Sequence, residues 1–344
     1  MSDTGTFSVS VGTDTVDCAL DQSLLDAFLR AGVWMPNSCN QGTCGTCKLQ
    51  VVSGSVDHRS SPESTLSRDE RAGGLALACQ ATPCTDTVVE RRESAPVDHT
   101  HVLRDLVGSV TAIDDVARET RRVTVMLDSP LEFSAGQYVE LHVPGTDQRR
   151  QYSMANTPGE AKVLEFHIRR ERGGLATDNW VFNTMSIGDQ VNLTGPLGDF
   201  RLDIDGREPM ILLGGGTGLA PLKSIARSAL DLDPAREIHL YHGVRARADL
   251  YDAELFHEWE RAHPNFRYLP CLSDEQWDGR TGYVSDVLAS DFSSCRGYSG
   301  YLCGPPPMVD AGVKAFKRRR MAPRRIFREK FTAATYPTPS LTNA

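Results

Sequence analysis

Cysteines are unusually crowded in one short stretch of this chain: Cys39, Cys44 and Cys47 lie within CNQGTCGTC, and Cys79 follows in LALACQATP. Disulfides need an oxidising compartment. The opening residues MSDTGTFSVS have no basic start, apolar core or small-residue cleavage site, so a cytoplasmic location is expected. Crowded reduced thiols there serve as metal ligands or redox groups rather than as staples.

The spacing C-x4-C-x2-C, with the fourth cysteine far downstream, is that of plant-type ferredoxins, where four thiolates hold a [2Fe-2S] cluster. Gly42 and Gly45 let backbone amides approach the cluster sulfurs, where their hydrogen bonds stabilise charge and tune potential. Structural zinc is the competing occupant, but it usually takes its thiolates as two close sequence pairs. Cys18, Cys84, Cys271 and Cys295 lack such company and read as small buried or surface residues; Cys84 is nearest the cradle. Upstream, FSVSV and DTVDCAL alternate like a hairpin, and SLLDAFLRAG reads as a helix capped by Ser23 and stopped by Gly32. Residues 1–93 thus resemble a plant-type ferredoxin of α+β class.

With 344 residues the chain exceeds one comfortable core, and several domains are expected. Hydrophobic content of 40% and charged content of 24% are ordinary for a globular protein, and no apolar run approaches a membrane span. A net charge of -8 argues against nucleic-acid binding, which needs a basic face. ERRESAPVDHTHVLRD has no sustained apolar period and places a linker over 94–103. DIDGREP marks a second break. Domains are expected over 1–93, 104–206 and 207–331, with a polar tail over 332–344.

In the second of these, VGSVTAID, RVTVMLD, YVELHVP, LEFHIRR and DQVNLTG alternate with period two between turn signals, the pattern of a small antiparallel barrel. RRQYSMAN puts Arg150 and Tyr152 on one strand face, a cation for phosphate beside an aromatic ring for a flat cofactor. HIRRERGGLATDNWVFN leads through Gly173 and Gly174 into a helix whose first amides, around Leu175 to Thr177, point at an anion. Together RxYS and the Gly-Gly turn resemble the FAD site of the ferredoxin NADP reductase superfamily. The resemblance implies that Arg150 binds the pyrophosphate, Tyr152 packs on the isoalloxazine and Ser153 approaches flavin N5. It gives Gly174, Leu175, Ala176 and Thr177 the far side of the pyrophosphate, and lines the flavin with the backbone of His167, Ile168 and Arg169.

The third domain begins PMILLGGGTGLAPLKSIARSALD, a buried strand, glycine turn and helix, followed by the apolar strands IHLYHGV, FRYLPCLS and GYLCG. Alternating β and α implies a parallel sheet with ligand at its carboxyl edge. Its glycines fit neither G-x-G-x-x-G nor a P-loop. GGGTGLAP does resemble the NAD(P)H pyrophosphate segment of the same superfamily, which assigns Gly215, Gly216, Thr217 and Gly218, and CGPPPM matches its second nucleotide signature through Cys303, Gly304 and Pro305. Asp274 in CLSDEQ stands where relatives that use NADP place an arginine. A carboxylate repels a 2'-phosphate and accepts from a ribose hydroxyl, so NADH is expected. Arg245 and Arg247 are the opposing feature. FREKF matches the superfamily's Glu-x-aromatic ending, which puts Phe331 over the flavin and Ser153, Cys303 and Glu329 around the hydride path.

The stretch KAFKRRRMAPRRIFREK between Lys314 and Lys330 is strongly basic. It reads as a solvated helix face and turn, or as a docking patch for an acidic surface such as the chain's own ferredoxin domain.

A hydride brings two electrons and an iron-sulfur cluster takes one; flavin handles both. Ferredoxin followed by reductase resembles the NADH-dependent reductase components of bacterial multicomponent oxygenases, which implies an oxygenase partner. WMPNSCNQGTCGTCK, YHGVRARADLYD and REKFTAA look most like reductases of soluble di-iron monooxygenases of the phenol hydroxylase and propane or tetrahydrofuran monooxygenase type. Reductases of aromatic-ring dioxygenases are the alternative, beside a stand-alone NADH-acceptor reductase and a zinc-stapled interaction protein.

Overall fold

A computed structural model describes residues 5–92 and 101–332. The expected linker over 94–103 and tail over 332–344 lie largely outside the described residues, as do the first four residues. Among those described, no helix is long and apolar enough to cross a membrane.

Among the described residues three large sheets carry the chain, beside a two-stranded one of Val56–Asp57 and Thr82–Pro83. The first runs Asp14–Ala19, Thr6–Val11, Thr87–Arg91, Lys48–Ser53, Leu75–Leu77 in spatial order. Thr6–Val11 lies parallel to Thr87–Arg91, and the other neighbours are antiparallel. The helix Leu24–Arg30 packs on it. Ser23 caps that helix by accepting from the Asp26 amide at 3.1 Å, and Gly32 turns the chain away with φ +74. Leu24, Phe28, Leu49, Leu77 and Val89 fill this core, which continues into Tyr138 and Leu197 of the next domain.

The second sheet is six antiparallel strands in the order Arg149–Ser153, Tyr138–His142, Gln190–Leu197, Arg104–Ala117, Thr120–Leu127, Val163–Arg169. A bridge between Met154 and Phe166 joins the first strand to the last, so the sheet closes as the period-two segments imply. Its interior holds Val123, Val139, Leu164, Phe166 and Leu193.

The third sheet is parallel throughout, in the order Arg280–Thr281, Phe266–Leu272, Ile238–Val244, Met210–Gly215, Ser299–Gly304, Ile326–Lys330. Met210–Gly215 and Ser299–Gly304 are buried at every residue, because the helices Leu219–Leu232, Ala253–Ala262, Val284–Asp291 and Pro306–Arg318 flank the sheet. Strand order reverses between Met210–Gly215 and Ser299–Gly304, and a crevice for ligand opens beyond their carboxyl ends.

Candidate functional site

The cysteine loop is wound by residues in left-handed conformation: Asn40 at φ 48, Gly42 at 77 and Gly45 at 75. A Cβ at Gly42 would stand 3.0 Å from Gln80 and 3.1 Å from Pro62. The winding turns amides onto sulfur: Cys44 N–H donates to Cys39 Sγ at 3.3 Å, and Thr46 N–H to Cys44 Sγ at 3.4 Å. The sulfurs are arranged as two pairs. Cys44 donates to Cys39, whose thiol is drawn down to about 4; Cys47 and Cys79 approach to 3.2 Å, with Cys47 lowered by the Cys79 thiol. Among the described residues no three of these sulfurs gather within 4.8 Å of one another. A single tetrahedral zinc, with Zn–S bonds of ~2.3 Å, would draw all four together. Two pairs of thiolate ligands with amide donors suit a two-iron cluster. Outside the cradle, burial pushes the thiols of Cys18 and Cys271 up to about 12 and that of Cys295 to about 11, as inert core residues require. Cys84 is exposed.

Beside the cradle lies a cavity of about 530 Å³, within the range of small-molecule sites. Arg150, Tyr152 and Ser153 form one wall and Gly174, Leu175, Ala176 and Thr177 the facing one. His167 and Arg169 join them, with Glu329 and Phe331 from the last strand and the residue after it. The facing wall is a π-helical turn, Leu175–Phe182, with Asn179 N–H donating to Gly174 O at 3.0 Å. A side chain at Gly174 would meet Glu171 O and Thr177 Oγ1 at 2.7 Å. The Arg150 guanidinium bonds Gln148 Oε1 at 2.7 Å and its neighbour's carbonyl at 2.9 Å. A cation, an aromatic ring and a helix start on opposed walls form a donor set suited to a flat ring carrying a pyrophosphate. Ile168 faces the barrel core and is fully buried there.

Ser153 Oγ lies 3.4 Å from Glu329 Oε2. Burial pushes the Glu329 carboxyl up to about 8, against the pull of that hydrogen bond. Cys303 pairs in register with Glu329 and is fully buried, its thiol raised by burial and by the Glu329 charge. Ser153, Cys303 and Glu329 therefore occupy one neighbourhood, with Ser153 and Glu329 on the cavity wall.

A second cavity, of about 170 Å³, opens at the glycine turn between Gly215, Gly216, Thr217, Arg245, Ser273 and Pro305. Thr217 and Arg169 line both cavities. Gly218 is packed behind the turn, where a Cβ would fall 2.1 Å from the Cys303 carbonyl oxygen, and Gly304 holds φ +143 against Gly215. Asp274 is not on this wall; it is exposed, its carboxylate accepting from the Ser273 hydroxyl at 2.6 Å. Arg247 is drawn off to Asp278 at 3.1 Å and lies over the Trp277 ring, while Arg245 remains on the wall.

Some wall residues lie outside the flavin and nucleotide motifs. Cys39 and Gln41 bring the cluster loop to the flavin cavity, Tyr138 and Gln151 stand between, and Arg118 encloses the second cavity through a two-bond pair with Asp249 at 2.9 and 2.8 Å. Of the two readings of the basic stretch, a solvated face and turn or a docking patch for an acidic surface such as the chain's own ferredoxin domain, the second finds no support in how that domain sits. That domain is seated on the barrel through Trp34 to Cys39. Arg325 and Lys330 of the stretch pair instead with Asp203 and Asp310.

A cluster cradle opening onto a flavin cavity, which meets a dinucleotide crevice, defines a three-domain flavin and iron-sulfur oxidoreductase. The 2Fe-2S iron-sulfur cluster binding domain family matches residues 9–84, the oxidoreductase FAD-binding domain 108–202 and the oxidoreductase NAD-binding domain 212–314. The chain is 62% identical to the reductase subunit of an aromatic O-demethylase from Amycolatopsis sp., over 96% of its own length and 100% of that protein. It is 40% identical to the reductase component of a phenol 2-monooxygenase from Pseudomonas sp., over 91% and 90%. The crystal structure of an Amycolatopsis cytochrome P450 reductase superposes with TM-score 0.94 at 61% identity, covering 96% of this chain and 100% of that one. The chain belongs to the FAD and [2Fe-2S] reductase components of multicomponent oxygenases.

Proposed function

We propose that this reductase draws electrons from NADH and delivers them singly, through its cluster, to the cytochrome P450 subunit of an aromatic O-demethylase. The delivery route is supported by one observation above the rest: Cys39, a cluster ligand by its spacing, lines the flavin cavity. Bound FAD converts a two-electron hydride into single electrons that a [2Fe-2S] cluster carries one at a time.

The chain's own residues do the rest. Arg150 and the amides following Gly174 would hold the pyrophosphate from two sides, and Tyr152 would hold the ring. The glycine turn at 215–217 admits the dinucleotide backbone, and Arg169, at the junction of the cavities, offers it a cation. Glu329, protonated at neutral pH, holds a proton beside Ser153 on the largely buried wall of the flavin cavity. Asp274, off the wall of the second cavity, holds the hydroxyl of Ser273, which lines it, so its charge and that engaged hydroxyl disfavour a 2'-phosphate and favour NADH.

The P450 partner rests on the 61% identity to the Amycolatopsis cytochrome P450 reductase, and on the gap between 62% identity to the O-demethylase subunit and 40% to the phenol monooxygenase component. It displaces the di-iron hydroxylase that the motifs alone favour. Two measurements test the proposal. Cys44→Ser should retain most NADH-to-ferricyanide turnover while losing reduction of the partner; joint loss would defeat the division of labour. Purified reductase should support demethylation of a methoxylated phenol by the P450 subunit faster than hydroxylation by a di-iron hydroxylase. The reverse order would return the partner to the di-iron class.

A further inference from the structure

One strand serves two cofactor sites. Arg149–Ser153 supplies Arg150 and Tyr152 to the flavin cavity, and Gln151 between them reaches the cluster loop, its Nε2 donating to the main-chain oxygen of Cys39 at 2.6 Å. The same amide lies 3.2 Å from Glu140 Oε1, its cross-strand neighbour, and 3.4 Å from the Tyr138 hydroxyl. Tyr138, buried between the domains, donates that hydroxyl to the carbonyl of Ser38.

The residues leading into Cys39 are bonded to the barrel as well. Asp199 accepts from Trp34 Nε1 at 3.0 Å and from Asn37 N–H at 2.8 Å, and Gly198 N–H donates to Asn37 Oδ1 at 2.6 Å. The segment from Trp34 to Cys39 is therefore held by the flavin domain at successive points, and it ends on a ligand facing the flavin cavity. At the other end of the cradle Cys44 is exposed.

We propose that Gln151 is a positioning residue for electron transfer from flavin to cluster. By fixing the Cys39 carbonyl it sets the distance and orientation of that ligand's sulfur, making Cys39 the entry side and leaving Cys44 on the exit side. The assignment rests on the flavin-to-cluster order proposed above. With FAD and the cluster bound, each NADH would supply two electrons to the flavin; the cluster would take one, reducing one of its two ferric ions, and would pass it to the oxygenase partner before taking the second. Tunnelling falls exponentially with distance, and a carbonyl freed from its donor lets the ligand loop drift. Glu140, as a carboxylate, only accepts and so competes for the Gln151 amide rather than replacing it.

The test is Gln151→Met, of similar length but without a donor, in the full holoprotein. In anaerobic stopped flow with NADH, cluster reduction should slow at least tenfold more than flavin reduction. Hydrogen exchange across residues 36–47 should accelerate, and the paramagnetic spectrum of the reduced cluster should change. Tyr138→Phe, which removes the adjacent bond to Ser38 without altering the flavin strand, should move all three readouts in the same direction by less; it decides the matter if Gln151→Met fails to retain flavin. Cluster reduction within twofold of the parent, or equal slowing of both steps with exchange unaltered, overturns the role of Gln151. A parent protein whose cluster NADH never reduces would instead overturn the proposed electron route.

Discussion

Lys223 Nζ lies 2.8 Å from Glu165 Oε1, an ion pair drawn across the seam between the nicotinamide and flavin domains. Asp252 sits 3.0 Å from the same ammonium and pairs with Arg122 of the barrel, and His167 bonds Glu165 at 2.8 Å and the Tyr251 hydroxyl at 3.1 Å. Glu165, His167 and Asp252 gather closely enough to suggest a metal site. Two cations already neutralise the acids, so the cluster reads as an interdomain lock. Tyr251 also approaches Gly216 O, at 3.5 Å, which connects the lock to the dinucleotide turn.

Removing Lys223 leaves Arg122 as the one remaining cation against Glu165 and Asp252 in a largely buried seam. Lys223→Met should cost about 3–5 kcal/mol, the usual penalty for breaking a buried pair, measured by urea denaturation of the full chain. The seam is also acid-sensitive. Burial opposes ionisation of Glu165, but the His167 hydrogen bond and the Lys223 charge prevail and hold it near about 2, below its ordinary 4.5. A depressed carboxyl stabilises the fold fully above its unfolded value, so this contribution should fade as pH falls from 4.5 towards 2. Lys223→Met should flatten that part of the profile.

Glu329 works in the opposite direction. Its folded value of about 8 stands above the ordinary 4.5, so the native chain holds a proton that the unfolded chain releases. Its contribution is complete below pH 4.5 and lost as pH rises through 8, with a slope of about 1.4 kcal/mol per pH unit between them. Glu329→Gln should remove this slope from urea midpoints of the flavin-free chain. In the holoprotein it should also abolish a fall in kcat/KM for NADH above pH 8.

Motifs made of short, local chemistry were legible in the sequence. The C-x4-C-x2-C loop, the period-two strands of the barrel and the apolar run into GGGTGLAP each specify backbone within a few residues, and each takes the place in the fold that its pattern implies. What could not be read is pairing at long separation. Gln151 and Cys39 are 112 residues apart, and Arg118 and Asp249 are 131 apart. Nothing in RRQYS distinguishes a glutamine that reaches a neighbouring domain from one that faces water. Asp274 shows the same limit from the other side: its position in CLSDEQ was legible, but the rotamer that turns it from the cavity to Ser273 was not.

That rotamer makes coenzyme choice testable. Asp274 accepts from the Ser273 hydroxyl at 2.6 Å, so the acid occupies a donor a 2'-phosphate would use, and its amide, donating to Arg245 O at 2.9 Å, keeps it beside Arg245. Asp274→Ser should release Ser273 and leave Arg245 facing the cavity. The ratio of kcat/KM for NADPH over NADH should rise at least tenfold, as expected when one repulsive charge is removed. Adding Arg245→Ala should reverse most of the gain. Arg247→Ala should not, since that guanidinium is engaged by Asp278 and Trp277.

The docking of the ferredoxin domain depends on a glycine as much as on its hydrogen bonds. Gly198 has φ +96, and a Cβ there would stand 2.9 Å from two carbons of the Tyr138 ring. Tyr138 cannot retreat easily, being 2% exposed between the ferredoxin core and the barrel. Gly198→Ala should therefore combine backbone strain with displacement of that ring, at about 1–3 kcal/mol. It would push the Tyr138 hydroxyl from Ser38 and the Gly198 amide from Asn37, loosening the cluster loop from the flavin strand. A lowered unfolding midpoint with slower cluster reduction is expected. A midpoint equal to that of the parent would mean that the ring and the 198 turn yield together, and that the seat of the cluster loop is softer than its hydrogen bonds imply.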